Sequence, residues 1–262
     1  MFRSPFVVFH IVLSVLFLSV GMQAQWKNVT NPQLPRTADG KPKLNAPMPR
    51  SADGKPDLSG IWVVADNNQF QDLMAGQPPA DVPYQPWAKA LAEQREKDLH
   101  KDDPLALCLP PGVPRLNTNV FHPFKILQLP REVAILYETS ANEVFREVFM
   151  DGRPLPKDPQ PSWKGYSVGK WEGDALVVDT IGFNDRGWID TGKGRPQTEA
   201  LHVTERFRRR DFGHMDIGVT IDDPKAYTKP WSSSLKVSLV ADSELLETVC
   251  ENQRGIEHLL GK

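Results

Sequence analysis

Residues 165–183 read GYSVGKWEGDALVVDTIGF and carry the clearest hairpin signal in the chain. Two segments rich in β-branched and aromatic residues, Tyr166–Trp171 and Ala175–Ile181, are separated by Glu172-Gly173-Asp174. A short turn containing Asp and Gly between two such segments is typical of adjacent antiparallel strands. The sequence therefore predicts a β-hairpin here.

The same pattern extends outward on both sides of this hairpin. It predicts further strands at Asp57–Val64, Phe124–Leu129, Glu132–Thr139, Val144–Met150, Leu201–Arg209, Met215–Ile221, Ser233–Val240 and Glu244–Cys250. Short turns join most of them, and the helical crossovers that parallel sheets require are missing from the pattern. A meander of eight to ten strands avoids unpaired edges by closing into a barrel, and a β-sandwich is the alternative.

The first 24 residues have the pattern of a secretory signal peptide. Arg3 supplies a positive charge, residues 11–20 are almost entirely apolar, and Ala24 precedes the predicted cleavage site. The apolar run is too short for the roughly 20 residues of a membrane-spanning helix, although an uncleaved anchor is the alternative. We therefore expect a secreted or periplasmic protein with no membrane span in the mature chain.

Residues 25–56 are predicted to be a Pro-rich linker that contains a duplication. PRTADGKPKL at 35–44 returns as PRSADGKPDL at 49–58, and the prolines and Asp-Gly turns disfavour regular structure. Residues 57–262 then form a single domain. One amphipathic helix is expected near Pro86–Lys101, followed by a long Pro-rich loop over 103–123.

Two resemblances follow from short motifs. Gly60-Ile61-Trp62 on the first strand is similar to the Gly-x-Trp that opens lipocalins and other calycin barrels. This resemblance implies that Trp62 plugs a closed barrel end and that an arginine near the last strand, for which Arg254 is the nearest candidate, stacks on it. The fold expected is thus an all-β, antiparallel up-and-down, calycin/lipocalin-like barrel with one N-terminal helix and long Pro-rich loops.

The longer resemblance is to a family of uncharacterised secreted bacterial proteins from acidobacteria and proteobacteria. It rests on PDLSGIW (56–62), CLPPGVPR (108–115), DGRPLP (151–156), GYSVGKWEGDALVVDTIGF (165–183), TERFRRRD (204–211) and DDPKAYTKPW (222–231). The resemblance implies export and a single domain. It brings no reaction with it.

Composition and cysteine usage exclude several function classes. A formal net charge of −2 gives no electrostatic basis for nucleic-acid binding. In an oxidising compartment Cys108 and Cys250 are expected to form a disulfide. No phosphate-binding loop or dinucleotide fingerprint occurs, and the histidines are scattered singly, so we predict no cofactor and no metal site.

Four residues are candidates for acid–base chemistry. Glu138, Arg146 and Glu205 share strand phases with apolar residues, which predicts that they point into the barrel together with Asp179. Arg146 would orient an anionic or carbonyl substrate, and Glu138 or Glu205 would act as general base. His202 lies on the opposite phase to Glu205. If that phase faces inward, His202 becomes the acid–base candidate and Glu205 a surface residue. The structural alternative is an internal salt-bridge network.

Aromatic residues cluster in the second half of the chain, several of them beside turns. The predicted ligand-binding residues are Trp163, Tyr166, Trp171, Asp179, Trp188, Tyr227 and Trp231. Such side chains stack on flat ligands or, alternatively, plug the barrel and pack the loops. The leading hypothesis is a barrel with an internal pocket for a small, partly apolar or aromatic ligand. The alternatives are a cofactor-free hydrolase, lyase or isomerase, and an envelope structural or interaction module.

Overall fold

The computed structural model of the chain describes residues 29–65, 67–77, 81–119, 122–139, 145–248 and 250. The predicted signal peptide lies outside this range. The described part contains one α-helix, α1 (Pro86–Lys97), and nine strands: β1 (Gly60–Val64), β2 (Phe124–Leu129), β3 (Glu132–Tyr137), β4 (Phe145–Phe149), β5 (Tyr166–Glu172), β6 (Ala175–Ile181), β7 (His202–Arg209), β8 (His214–Asp222) and β9 (Trp231–Leu239). Within it, no helix is both long enough and apolar enough to cross a membrane.

The strands form a closed barrel in chain order, because β9 pairs with β1. The predicted all-β barrel with one helix is confirmed. One pair departs from the antiparallel meander: β4 and β5 run parallel, with Val148 opposite Ser167. The intervening residues 150–165 carry the chain back along the barrel before β5 begins. The predicted last strand at Glu244–Cys250 is wrong, since β9 already uses both edges and residues 244–248 and 250 lack regular structure.

The barrel interior is filled with side chains. Val178, Phe207, Ile217, Val219 and Leu235 all point inward and are at most 1% exposed. A ligand-sized cavity would leave the side chains that line it with accessible surface. Across the described strands the interior is therefore close-packed, as protein cores generally are.

One end of the barrel is closed around Trp62, as the Gly-x-Trp resemblance implied. The Trp62 ring is fully buried, and its Nε1 donates to the Leu58 carbonyl at 2.9 Å. The arginine that stacks on it is Arg209, whose guanidinium lies 4.9 Å from the ring centroid. Arg209 belongs to β7, and Arg254, the candidate from the sequence, lies outside the described residues.

The other end is closed by part of the Pro-rich segment, residues 110–118, which we call the plug. Residues 110–118 are buried without interruption. Arg115, within this segment, makes two hydrogen bonds to the Asp103 carboxylate at 2.8 and 2.5 Å. The predicted disulfide is confirmed: Cys108 and Cys250 are joined with Cα atoms 5.7 Å apart. It ties this plug to the C-terminal segment.

The duplicated N-terminal segment folds against the barrel. Each copy forms a tight turn and projects one arginine to an aspartate in a turn of the barrel: Arg36 to Asp242 at 2.5 Å, and Arg50 to Asp174 at 2.8 Å. Leu34 is 8% exposed. Described residues 29–56 therefore form a strap that is docked on the barrel. The Pro and Asp-Gly residues that exclude helix and strand permit these turns.

Candidate functional site

A buried ion pair crosses the barrel interior. The Arg146 guanidinium from β4 and the Glu205 carboxylate from β7 approach to 2.6 Å, and their side chains are 1% and 0% exposed. Val203 and Phe207 flank Glu205 on the same inward phase. The side chains of His202 and Thr204 consequently lie on the outer face.

Hydrogen bonds extend this pair into a polar network. Asn117 from the plug donates to Glu205 Oε1 at 2.6 Å, and Tyr137 donates to Asn117 Oδ1 at 3.0 Å. Arg146 donates to Ser167 Oγ at 3.0 Å and to Thr180 Oγ1 at 2.8 Å. The network thus links β3, β4, β5, β6 and β7 to the plug.

Burial and charge oppose each other in this network. Burial alone lowers the pKa of Arg146, but the interactions with Glu205 and Tyr137 together outweigh it, so the pKa lies above its ordinary value. Burial also raises the pKa of Tyr137. Arg146 stays cationic and Tyr137 stays protonated at neutral pH. The arrangement is an internal salt-bridge network, which was the structural alternative to a catalytic role for Arg146 and Glu205.

The other two catalytic candidates lie elsewhere. Glu138 sits at the plugged end, 9% exposed, where its Oε2 accepts from the backbone N–H of Leu246 at 2.9 Å. His202 lies on the outer wall, with Nε2 2.9 Å from Asp179 Oδ1. Asp179 is therefore not in the interior, contrary to the prediction. Ala175 and Val177 share its phase and are buried, but on the outer side of β6, so apolar neighbours did not indicate the interior.

The predicted ligand-binding aromatics are dispersed. Tyr227 and Trp231 are buried with ring centroids 5.5 Å apart, and the Tyr227 hydroxyl donates to the Pro196 carbonyl at 2.8 Å. The Tyr166 hydroxyl accepts from Arg153 at 3.1 Å. Trp171 lies opposite the buried Leu176 on the inward phase of β5 and is half-buried at the end of the barrel, beside Gln128 and Val133. These side chains pack the fold or line other surfaces.

Trp163 and Trp188 share a cleft outside the barrel, which we call the Trp163 cleft. Its volume is about 330 Å³, and it is lined by Leu91, Gln94, Arg95, Asp98, His100, Lys101, Asp102, Pro104, Leu107, Leu109, Trp163, Arg186 and Trp188. The end of α1 and the start of the Pro-rich loop form one side. The loops before β5 and after β6 form the other.

Two arginine–tryptophan contacts shape this cleft. The Arg95 guanidinium lies 4.2 Å from the centroid of Trp188, which is 3% exposed. The Arg186 guanidinium lies 5.0 Å from the centroid of Trp163, which is half-buried. Contacts of this kind attract a cation to the ring face and hold both partners in place.

Arg95 is held in the wall by Gly194. Its Nη1 donates to the Gly194 carbonyl at 2.8 Å, and a Cβ at Gly194, where φ is +55°, would stand 3.0 Å from the Arg95 Cβ. Burial lowers the pKa of Arg95 to about 10, so the group remains cationic at neutral pH. Arg95 was not predicted from the sequence, because it lies among charged helical residues that are typical of a solvent-exposed face. The loop at Gly194 packs on Arg95 and covers it, and the helical pattern alone does not indicate this contact.

The chemistry of the cleft is aromatic and hydrogen-bonding together. Arg186 and Lys101 offer cationic donors, Asp98 and Asp102 offer acceptors, and Trp163 offers a ring face. Among the described residues no His, Cys, Asp and Glu side chains gather as a metal site. The cleft therefore suits an organic ligand with a flat face and polar substituents.

Comparison with known proteins leaves the family open. No protein-family model and no curated protein sequence matches the chain. Among solved structures, the chain is similar to the crystal structure of a mutant of the fluorescent protein UnaG, at 14% identity and a TM-score of 0.31, over 71% of this chain and 97% of that one. A TM-score this low carries no argument. The strand pairing itself defines the class: a closed, disulfide-linked β-barrel.

Proposed function

We propose that this protein is an exported small-molecule-binding β-barrel whose ligand occupies the Trp163 cleft. The observation that supports this most strongly is the convergence of two arginine–tryptophan contacts on one cavity of about 330 Å³. That volume lies within the usual range of small-molecule sites, about 300–1,000 Å³. The ligand would stack on Trp163 and hydrogen-bond to Arg186 and the neighbouring carboxylates.

The site proposed here lies outside the barrel, whereas the sequence suggested an internal pocket. The interior side chains are nearly all inaccessible, and Arg146 and Glu205 at its centre balance each other's charge at 2.6 Å. A ligand inside would have to displace packed side chains and separate a buried ion pair. Binding in the preformed external cleft requires neither, so it costs less reorganisation.

Export is part of the proposal. The pattern of residues 1–24 predicts a signal peptide, and the Cys108–Cys250 bridge is of a kind that persists in oxidising compartments. A binding protein in the periplasm or outside the cell would meet ligands that the cell takes up, senses or releases. No nucleotide cofactor is needed for this role.

Titration with phenolic, sugar and lipid compounds, followed by intrinsic tryptophan fluorescence, tests the proposal. We expect at least one compound of the panel to bind the full mature chain, and Trp163→Ala to weaken it at least tenfold. Truncation of a tryptophan in a binding site typically costs more than about 1.4 kcal/mol, the equivalent of tenfold in affinity.

Trp171→Ala is the matched control, since Trp171 is also half-buried but lines the end of the barrel, away from the Trp163 cleft. It should leave affinity within about twofold of wild type. Thermal melts of both variants separate lost binding from lost folding. The proposal is overturned if no compound binds, or if Trp163→Ala and Trp171→Ala have the same effect on binding.

A further inference from the structure

A second cavity adjoins the Trp163 cleft along α1. Its volume is about 320 Å³, and it is lined by Trp87, Leu91, Arg95, Asp185, Pro196, Gln197, Thr198, Glu199 and Lys225. Leu91 and Arg95 line both cavities. The two cavities therefore lie side by side along the helix and share a wall at Leu91 and Arg95; we call them together the α1 groove.

An exposed tryptophan forms a platform at the far end of the α1 groove. Trp87 is 46% exposed, yet its Nε1 donates to the Lys225 carbonyl at 2.8 Å. The start of α1 is also fixed, because the Gln85 N–H donates to the Ala226 carbonyl at 2.8 Å. A large aromatic ring that is open to solvent but held at its edge is preorganised for stacking.

The groove also contains an acceptor that lacks a partner. Gln197 is 3% exposed, and its Nε2 donates to the Asn184 carbonyl at 2.9 Å. Its Oε1 is buried and has no hydrogen-bond partner within the described part of the chain. Leaving such an atom unpaired costs about 1–3 kcal/mol, which a ligand hydroxyl in the groove would recover.

The local backbone favours this placement of Gln197. A Cβ on Gly187 would collide with the Gln197 amide, so the absence of a side chain there makes the room. In the Trp163 cleft, His100 Nε2 is likewise buried without a partner among the described residues. Both halves of the groove thus have, in their wall, a buried polar atom without a hydrogen-bond partner among the described residues.

The length and charge of the groove define the ligand. Trp87 and Arg95 are eight residues apart on α1, or about 12 Å at a rise of 1.5 Å per residue. The lining charges balance: the cations are Arg95, Lys101, Arg186 and Lys225, and the anions are Asp98, Asp102, Asp185 and Glu199. A long, polar groove with an aromatic platform at each end and no excess charge favours a neutral chain of rings with hydroxyl groups.

We propose that the α1 groove binds a neutral linear oligosaccharide, with one sugar ring on Trp163 and another on Trp87. The apolar face of a sugar ring packs on an aromatic ring, and its hydroxyl groups bond to carboxylates, guanidinium groups and the free Gln197 oxygen. This inference rests on the proposed function, because it takes the Trp163 cleft as one of its two subsites.

Isothermal titration with the tetrasaccharides cellotetraose, maltotetraose and xylotetraose, and with their monosaccharides glucose and xylose, tests the inference. At least one tetrasaccharide should bind at least tenfold more tightly than the monosaccharide. Trp87→Ala should remove most of that advantage while leaving monosaccharide binding within about twofold. Trp87 is exposed, so the variant should melt within a few degrees of wild type, and Trp171→Ala again serves as the matched control.

The outcomes separate the two proposals. If a phenol or other small compound requires Trp163 but no tetrasaccharide binds more tightly than its monosaccharide, the oligosaccharide inference fails and the proposed function stands. If tetragalacturonate binds more tightly than every neutral tetrasaccharide, the neutral ligand class is wrong. If tetrasaccharide binding is unaffected by both Trp87→Ala and Trp163→Ala, both proposals are wrong.

Discussion

Replacing Glu205 by glutamine removes the charge that balances Arg146 inside the barrel. The carboxylate and the guanidinium are 2.6 Å apart, and both side chains are almost completely buried. Glutamine has nearly the same size and still accepts a hydrogen bond, so the packing is preserved while the ion pair is lost. The protein should be strongly destabilised even though no cavity is created.

The magnitude follows from the distance. Two unit charges at 2.6 Å attract by about 6 kcal/mol at an effective dielectric constant of about 20. The introduced side-chain amide would keep a hydrogen bond to the charged guanidinium, worth about 1.5–3 kcal/mol. The remaining loss of about 3–5 kcal/mol matches what is found when one partner of a buried pair is removed.

Urea unfolding and thermal melting measure this loss. A decrease of about 3–5 kcal/mol corresponds to a fall in Tm of about 6–20 °C for a domain of this size. Arg206→Gln is the matched control on the same strand: Arg206 faces outward and pairs with Glu172 at 2.8 Å, with half of its side chain exposed. Such surface pairs contribute about 0–1 kcal/mol.

A double-mutant cycle with Arg146→Met completes the test. The two single substitutions should each be costly, and their combination should cost clearly less than the sum, because the double variant leaves no unbalanced charge. A loss below about 1 kcal/mol for Glu205→Gln, or strict additivity in the cycle, would refute the reasoning that the interior is a closed salt-bridge network.

Three further outcomes are expected. First, Arg50 and Arg36 lower the pKa values of Asp174 and Asp242, so strap docking should be complete above about pH 4 and lost as the pH falls through the lowered pKa values. Limited proteolysis of residues 29–56 at neutral pH and at about pH 3 measures this loss, and equal cleavage at both pH values would contradict it. Second, Arg209→Ala removes the contact with the Trp62 ring and the hydrogen bonds to the Asp57 and Phe212 carbonyls. Urea unfolding should show a free energy of unfolding that is lower by about 2–4 kcal/mol. Arg208→Ala, at an exposed position on the same strand, should change it by less than about 0.5 kcal/mol. Third, the double variant Cys108→Ser with Cys250→Ser removes a disulfide between residues 142 positions apart and should lower the free energy of unfolding by up to about 5 kcal/mol in the chain-entropy model. A Tm equal to that of the oxidised protein would contradict a stabilising disulfide.

Local patterns were sufficient to predict most of the barrel wall. The alternation in residues 165–183 yields β5 and β6 with their turn, and Gly60-Ile61-Trp62 indicates the closed end. The parallel pairing of β4 with β5 was not predictable, because it depends on how the connection at 150–165 crosses the barrel. Strand direction is a property of that long-range path and leaves no periodic signal.

The interior residues were predicted with mixed success for a physical reason. Arg146 and Glu205 break apolar phases that face the core, and both are inside. Asp179 also breaks an apolar phase, but β6 is buried on both faces, so its apolar phases do not distinguish inside from outside. Arg209 belongs to a basic run that resembles an exposed strand end, although the side chain is 4% exposed and serves the barrel closure.

The candidate site depends on contacts between distant segments. Trp163 and Trp188 were predicted as ligand-binding residues, but nothing in the local sequence connects them with Arg95 on α1 or with Gln197. Likewise, Asn117 lies in a loop without alternation, and only the docking of the plug brings it to Glu205. Residues that come together through the packing of irregular segments have no characteristic spacing in the sequence, so their contacts could not be predicted from it.

Hydrogen exchange of residues 25–262, with and without the panel compound that binds most tightly, tests the central claim most directly. If the ligand lies in the external groove, protection should increase in residues 87–109, 163 and 185–199, and the amides of β3, β4 and β7 should be unchanged. Increased protection or exposure confined to β3, β4 and β7, with no change along α1, would contradict the account and place the ligand inside the barrel.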